Sequence, residues 1–195
     1  MLTQKLRKYN VILGSSSKRR KKLLTKLGID FSIMTSKEEE EYPSKTEISQ
    51  IANFLAKQKA DVISKEISDN NYLLITADTI VVQNHEVIHK PKNKKEAIEI
   101  LKKISGNSHT VTTGVCITSP AKQIIFSSTT NVFFSNLSND EINFYIEKYK
   151  PFDKAGSYGI QEWIGLIGIK EITGSYNNVV GLPTHELYQK LKKFI

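Results

Sequence analysis

The run Leu74-Ile75-Thr76-Ala77-Asp78-Thr79-Ile80-Val81-Val82 constrains this chain more than any other stretch. It is rich in β-branched residues, whose stiff χ1 torsions suit a pleated strand better than a helix. A strand is therefore predicted from Tyr72 to Val82, interrupted near Asp78, the one ionisable residue of an otherwise apolar run. An unpaired buried carboxylate costs several kcal/mol, so something must meet this one. A metal ion, a base, or a capping role where the strand ends would each do so.

The patterns around that strand fix the class of fold. Asn10–Ser15 predicts a strand that enters the turn Ser15-Ser16-Ser17, whose last hydroxyl can cap a helix. Leu23, Leu24 and Leu27 recur at helical spacing, and Gly28 ends that helix. A strand over 31–35 and an acidic loop, Glu38 to Glu41, follow. A long helix is predicted from Thr46 to Ile67, with Ile48, Ile51, Ala52, Leu55, Val62 and Ile63 as its apolar stripe. Lys59 falls on that stripe, four residues from both Leu55 and Ile63. Capping boxes at Asn93–Glu96 and Ser138–Glu141 open helices that run to Ile104 and Tyr149. Residues 110–119 and 123–134 alternate as a hairpin around Pro120. Asp153–Gln161 reads as polar, glycine-containing loop and strand, Gly165–Ile172 as a strand, and a last helix follows Gly181-Leu182-Pro183 to Phe194. Strands interleave with helices, yet hairpins also occur. The expectation is an α/β fold with a mixed sheet, in one domain or one domain with two lobes.

The segment His85-Glu86-Val87-Ile88-His89 matches H-E-x-x-H, a zinc-hydrolase pattern that works only on a helix. Here a β-branched run precedes it and Pro91 follows, which biases Lys90 away from helical geometry. On a strand the two imidazoles would stand roughly 13 Å apart at ~3.3 Å per residue, too far to share one zinc. A β-hairpin with its tip at Gln83-Asn84-His85 is the reading adopted.

No apolar run approaches the ~20 residues of a membrane span. A single cysteine, Cys116, excludes an internal disulfide and fits a cytoplasmic location. The net charge is +8, and the first 29 residues hold nine Lys or Arg with no acid. A basic leader, a nucleic-acid patch and an anion site compete to explain this; the buried-strand pattern Val11-Ile12-Leu13 speaks against a cleaved leader.

Three constellations carry chemistry. Gly14-Ser15-Ser16-Ser17-Lys18-Arg19-Arg20 is a strand-to-helix junction, where free N–H groups, hydroxyls and guanidinium forks suit phosphate oxygens; a capped surface helix with a solvated basic face is the plainer alternative. Asp78 is the second. The third is the set of lone lysines and acids: Lys59 could snorkel out of its apolar stripe, Lys90-Pro91 could be turn chemistry, and Glu39 and Glu40 could be solvated loop.

These residues, taken in order, resemble a family. LGSSSKRRKKLL, the acidic loop, LAKQKA, ADTIVV, Lys90-Pro91, LKKISGNSHTVTTGV, DKAGSYGIQ and GSYNNVVGLP are similar to the Maf family of nucleoside triphosphate pyrophosphatases, from about Asn10 to the C-terminus. The resemblance implies hydrolysis of a nucleoside triphosphate between its α and β phosphates, a divalent metal (Mg²⁺ or Mn²⁺), and a mixed α/β, Maf/ITPase-like fold with a deep cleft between two lobes. It implies Asp78 as proton acceptor, Ser15, Arg19 and Arg20 as the phosphate-binding turn, and Lys59 and Lys90 as cleft lysines. Glu39 and Glu86 match acidic positions, and Asp78 with Glu39 forms the metal set. Arg19, Thr79 and Gln161 match positions that set the base, and Thr79 and Gln161 point to the dTTP/UTP branch rather than the branch acting on methylated guanosine triphosphate. Two positions depart from the family pattern: Lys18 stands where Pro is usual, and Glu162-Trp163 follows Gly159-Ile160-Gln161 where Gly is usual. A non-enzymatic nucleic-acid-binding or cell-division regulator is the rival reading, and it has no need of Asp78 inside an apolar strand. The oligomeric state is left open, a homodimer included.

Overall fold

The computed structural model describes residues 1–35 and 41–195. Its strands order as β2-β1-β3-β5-β6-β7, with β4 added to β3. They are β1 (Asn10–Gly14), β2 (Ser32–Ile33), β3 (Tyr72–Gln83), β4 (Glu86–Ile88), β5 (Ser108–Thr118), β6 (Gln123–Phe134) and β7 (Ile169–Thr173). β1 runs parallel to β2 and β3, whereas β3–β4 and β6–β7 are antiparallel, so the sheet is mixed as its alternating sequence requires. The described residues gather into two compact units, residues 1–78, 113–128 and 181–195, and residues 79–112 and 129–180. Each is assembled from separated stretches of chain.

The first unit holds the parallel strands and helices α1 (Leu2–Leu6), α2 (Lys18–Lys26), α3 (Ile48–Ser64) and α8 (Thr184–Phe194). Helix α3 buries Ile51, Ala52, Leu55, Ala56, Ala60 and Ile63. Its small residues let it lie close: Ile12, Ala56, Ala60, Ile63, Tyr72, Leu74 and Cys116 form one buried cluster. Gly114 on β5 is required for that approach, because a Cβ there would stand 2.3 Å from the Ala52 carbonyl. Burial of each large apolar side chain in such a cluster is worth roughly 1.5–3 kcal/mol. It also pushes the Cys116 thiol pKa up.

The second unit holds β4 and β7 with α4 (Lys94–Ile104), α5 (Asn139–Tyr149), α6 (Trp163–Gly168) and α7 (Tyr176–Val180). Asn93 and Ser138 cap α4 and α5 as the sequence predicts. The H-E-x-x-H segment is a hairpin: Gln83 pairs with Glu86, and Asn84 and His85 take left-handed φ of 50° and 61°, the geometry of a two-residue turn that follows the strand twist.

Three expectations are corrected. β3 is not interrupted at Asp78 but runs on to Gln83, because its carboxylate is paired and needs no strand end. β2 is two residues long, not five. Residues 163–168 are helix, and the strand starts only at Ile169. The missing side chain of Gly165 lets that helical turn close over Ile160, whose carbonyl would lie 1.9 Å from a Cβ. Helices α1 and α7 have no apolar period long enough to announce them; the signal for α7 is Ser175, whose hydroxyl accepts from the Asn178 N–H.

Candidate active site

Parallel pairing sets the first part of the site. Gly14 of β1 is in register with Thr76 of β3, so the Ser15–Ser17 turn leaves the sheet at the carboxyl end of β1, at the level where β3 runs on through Asp78. β1 lies between β2 and β3: the chain crosses to one side after β1 and returns to the other after β2. Such a switch point is where open α/β sheets bind ligands.

Within this unit two clusters form. The Ser17 hydroxyl caps α2 by accepting from the Arg20 N–H at 3.4 Å. The buried Ser15 hydroxyl oxygen accepts from the Ser17 N–H and from the Arg20 guanidinium, both at 3.3 Å. Arg20 Nε donates to the Gly181 carbonyl at 2.8 Å, which ties the turn to the segment before α8. These two bonds, to a hydroxyl and a carbonyl oxygen, help to fix Arg20 in place. Sequence reading missed Gly181, treating Gly181-Leu182-Pro183 as a helix lead-in, because the contact spans 161 residues. Arg19 lies half-buried in the first turn of α2.

The second cluster answers the question posed by Asp78. Lys59 Nζ donates to Asp78 Oδ1 at 2.6 Å and to the Ala77 carbonyl at 3.4 Å. The two side chains are only 13% and 12% exposed. Lys59 does not snorkel to solvent; α3 turns it toward the strand. One turn earlier, the Ala56 carbonyl accepts from the buried Thr76 hydroxyl, so α3 is pinned to β3 at the pair and one turn before it. The capping role for Asp78 is excluded, since it sits inside a continuous strand.

The remaining candidates lie in the second unit or beyond the described residues. Thr79 follows Asp78 on β3 and is half-buried. Lys90 is exposed just past β4, next to the buried Pro91. Gln161 is exposed at a tight turn. Glu86 is occupied by Lys103 at 2.7 Å, and that hydrogen bond and charge hold its pKa down. Glu39 lies outside the described residues. His85 is in the hairpin turn and His89 beyond β4, and no three His, Cys, Asp or Glu side chains cluster as a metal site among the described residues. A magnesium ion needs no such cage: it keeps several waters and is held by one or two carboxylates plus substrate phosphates. Asp78 supplies a hard oxygen donor of that kind, so the residues present fit such an ion.

A mixed sheet with a Ser–Arg turn and a Lys–Asp pair beside one switch point defines the class as an open-sheet α/β protein. The profile of the Maf-like protein family matches residues 10–194, and the chain belongs to that family. It is 48% identical over 193 residues to a Phocaeicola vulgatus protein named dTTP/UTP pyrophosphatase, covering 98% of this chain and 100% of the relative. Proteins of the same name from Bacteroides thetaiotaomicron and Parabacteroides distasonis are each 46% identical, over 96% and 99% of this chain and 97% and 100% of their own. Among solved structures, a Ham1 protein from Staphylococcus aureus matches with a TM-score of 0.50 at 15% identity, covering 93% of this chain and 99% of its own. A Coxiella burnetii HAM1 protein matches at 0.51 and 12%, over 95% and 99%. At such identities these two establish the fold alone. No helix among the described residues is long and apolar enough to cross a membrane.

Proposed function

We propose that the chain hydrolyses dTTP and UTP to the nucleoside monophosphate and pyrophosphate, clearing nucleotides from the pool in the cytoplasm. The observation that carries this reading is the Lys59–Asp78 pair, held in a continuous strand where the Ser15–Arg20 turn leaves the sheet. A triphosphate carries about four negative charges, which need cationic partners without much reorganisation. Arg19, Arg20, Lys59 and Lys90 are the side chains assigned to it, with Ser15 as a hydroxyl contact. Asp78 holds the attacking water and takes its proton as the water oxygen bonds to the α-phosphorus. The bond from that phosphorus to the bridging oxygen breaks, and pyrophosphate leaves with the oxygen. Asp78, with Glu39, is the carboxylate set for a magnesium or manganese ion, which when bound adds positive charge against the phosphates. Arg19, Thr79 and Gln161 are the residues assigned to the base, and the neutral donors and acceptors of Thr79 and Gln161 suit a pyrimidine edge. A homodimer is compatible with this assignment.

The test is a nucleotide panel with Mg²⁺ or Mn²⁺, scored by pyrophosphate release, run beside Asp78→Asn. Pyrimidine triphosphates should lead, and the variant should lose at least ~100-fold, the low end for a lost acid–base group. An Asp78→Asn protein with unchanged turnover ends the assignment of that residue. Equal turnover of all bases ends only the assignment of Thr79 and Gln161. Salt-sensitive DNA binding without turnover would favour the regulatory alternative.

A further inference from the structure

Gln161 is the one exposed residue of a four-residue turn whose other members are all held. The Glu162 N–H donates to the Gly159 carbonyl at 2.9 Å, closing the turn. The Gly159 N–H donates to the Tyr145 phenol oxygen at 3.0 Å. The same phenol donates to a Glu162 carboxylate oxygen, so one side chain on α5 grips both ends of the turn. Glu162 also receives Lys154 Nζ at 3.1 Å, and Lys154 is itself buried, with a second bond to Asp153 at 2.8 Å. Ile160, between the two ends, is buried. The next residue, Trp163, packs edge-on against Phe144, the neighbour of Tyr145 on α5, at 4.8 Å between ring centroids. Gly159 leaves the room this needs: a Cβ there would lie 2.8 Å from Gln161 Nε2 and 2.9 Å from a Glu162 oxygen.

A buried ion pair and phenol are a poor way to gain stability, since well-packed apolar residues serve as well or better. What a fully satisfied polar network does supply is a single geometry. We propose that Tyr145, with Glu162 and Lys154, is a positioning device that fixes the Gly159–Glu162 turn and so presents the Gln161 amide in one orientation to the pyrimidine base. The inference rests on the reading of Gln161 as a base contact, and it assigns a role to Glu162, where the chain departs from the family pattern. Burial, then the hydrogen bond and charge of Glu162, pushes the Tyr145 pKa up, so the phenol keeps its proton throughout the working pH range.

The device acts on binding. If its loss leaves the Gln161 amide correctly placed about a tenth of the time, the apparent affinity falls about tenfold. Turnover of bound substrate, which depends on Asp78, stays the same. Steady-state kinetics of Tyr145→Phe, Glu162→Ala, Glu162→Gln and Gln161→Ala with dTTP, UTP and dATP test this, with melting temperatures measured in parallel. Tyr145→Phe and Glu162→Ala should raise KM for dTTP and UTP about tenfold with kcat within twofold. KM for dATP should stay unchanged, so that the pyrimidine preference narrows as it does in Gln161→Ala. Glu162→Gln, which keeps an acceptor for the phenol, should recover most of the loss. A shifted preference in Gln161→Ala with normal Tyr145→Phe and Glu162→Ala would overturn the positioning role and leave the base assignment standing. An unaltered preference in Gln161→Ala overturns both. Equal losses for all three nucleotides, or Glu162→Gln as impaired as Glu162→Ala, also defeat it. Should Tyr145→Phe melt below the assay temperature, the Glu162 variants decide the question.

Discussion

Replacing Lys59 by Met should unfold this protein at a markedly lower temperature, and the structure sets the size of the effect. Methionine keeps the length and apolar stem of the side chain, so packing along α3 is nearly retained. It removes the ammonium that sits 2.6 Å from Asp78 Oδ1. Breaking a buried ion pair from one side costs roughly 3–5 kcal/mol, mostly the cost of the stranded charge. Here each partner retains about an eighth of its exposure, which places the expectation near the lower end, about 3 kcal/mol. For a chain of this length ~1 kcal/mol moves the midpoint by roughly 2–4 °C, so Lys59→Met should melt about 6–12 °C lower. Asp78→Asn should cost less, about 1 kcal/mol, since the lysine still donates to the Ala77 carbonyl and its flexible stem can seek solvent. The double variant should then be more stable than the sum of the two losses by about 2 kcal/mol. Urea unfolding followed by circular dichroism measures all three. Losses that simply add, or a Lys59→Met loss below about 1 kcal/mol, would show that the pair is not desolvated and that Asp78 is met by something else.

Two further outcomes follow from the same reasoning. His109 is buried, its Nε2 is 2.7 Å from the Tyr158 hydroxyl, and burial pulls its pKa down to about 4; Tyr158 is pushed upward by the same burial. The unfolded chain therefore binds a proton below about 6.5 that the folded chain refuses until about 4, so stability should fall across that window by on the order of 3 kcal/mol. Melting temperatures against pH should show this, and His109→Gln should flatten the profile; an unchanged slope would assign the acid sensitivity elsewhere. Gly114→Ala should destabilise by about 2 kcal/mol or more, because its methyl group meets the Ala52 backbone and α3 must move; calorimetry of the variant at neutral pH checks it.

Much was legible without coordinates, and the legible parts are those governed by near neighbours in the chain. Capping at Asn93 and Ser138, the helical spacing of α3 and the turn chemistry of Asn84-His85 all depend on groups within four residues of one another. The same locality exposed H-E-x-x-H as a hairpin. It failed at residues 163–168, where an apolar run suits helix and strand alike and the close approach of Gly165 to Ile160 decides.

Most of the order of strand, helix and hairpin, and the presence of one acid in an apolar strand, can be read from the sequence alone. Which group meets that acid cannot be. Lys59 and Asp78 are 19 residues apart, and Arg20 and Gly181 are 161 apart. Their meeting depends on which way each crossover runs and on how closely α3 can lie against the sheet. No local propensity encodes those distances; they follow from burying the whole apolar surface at once, and only the folded chain does that.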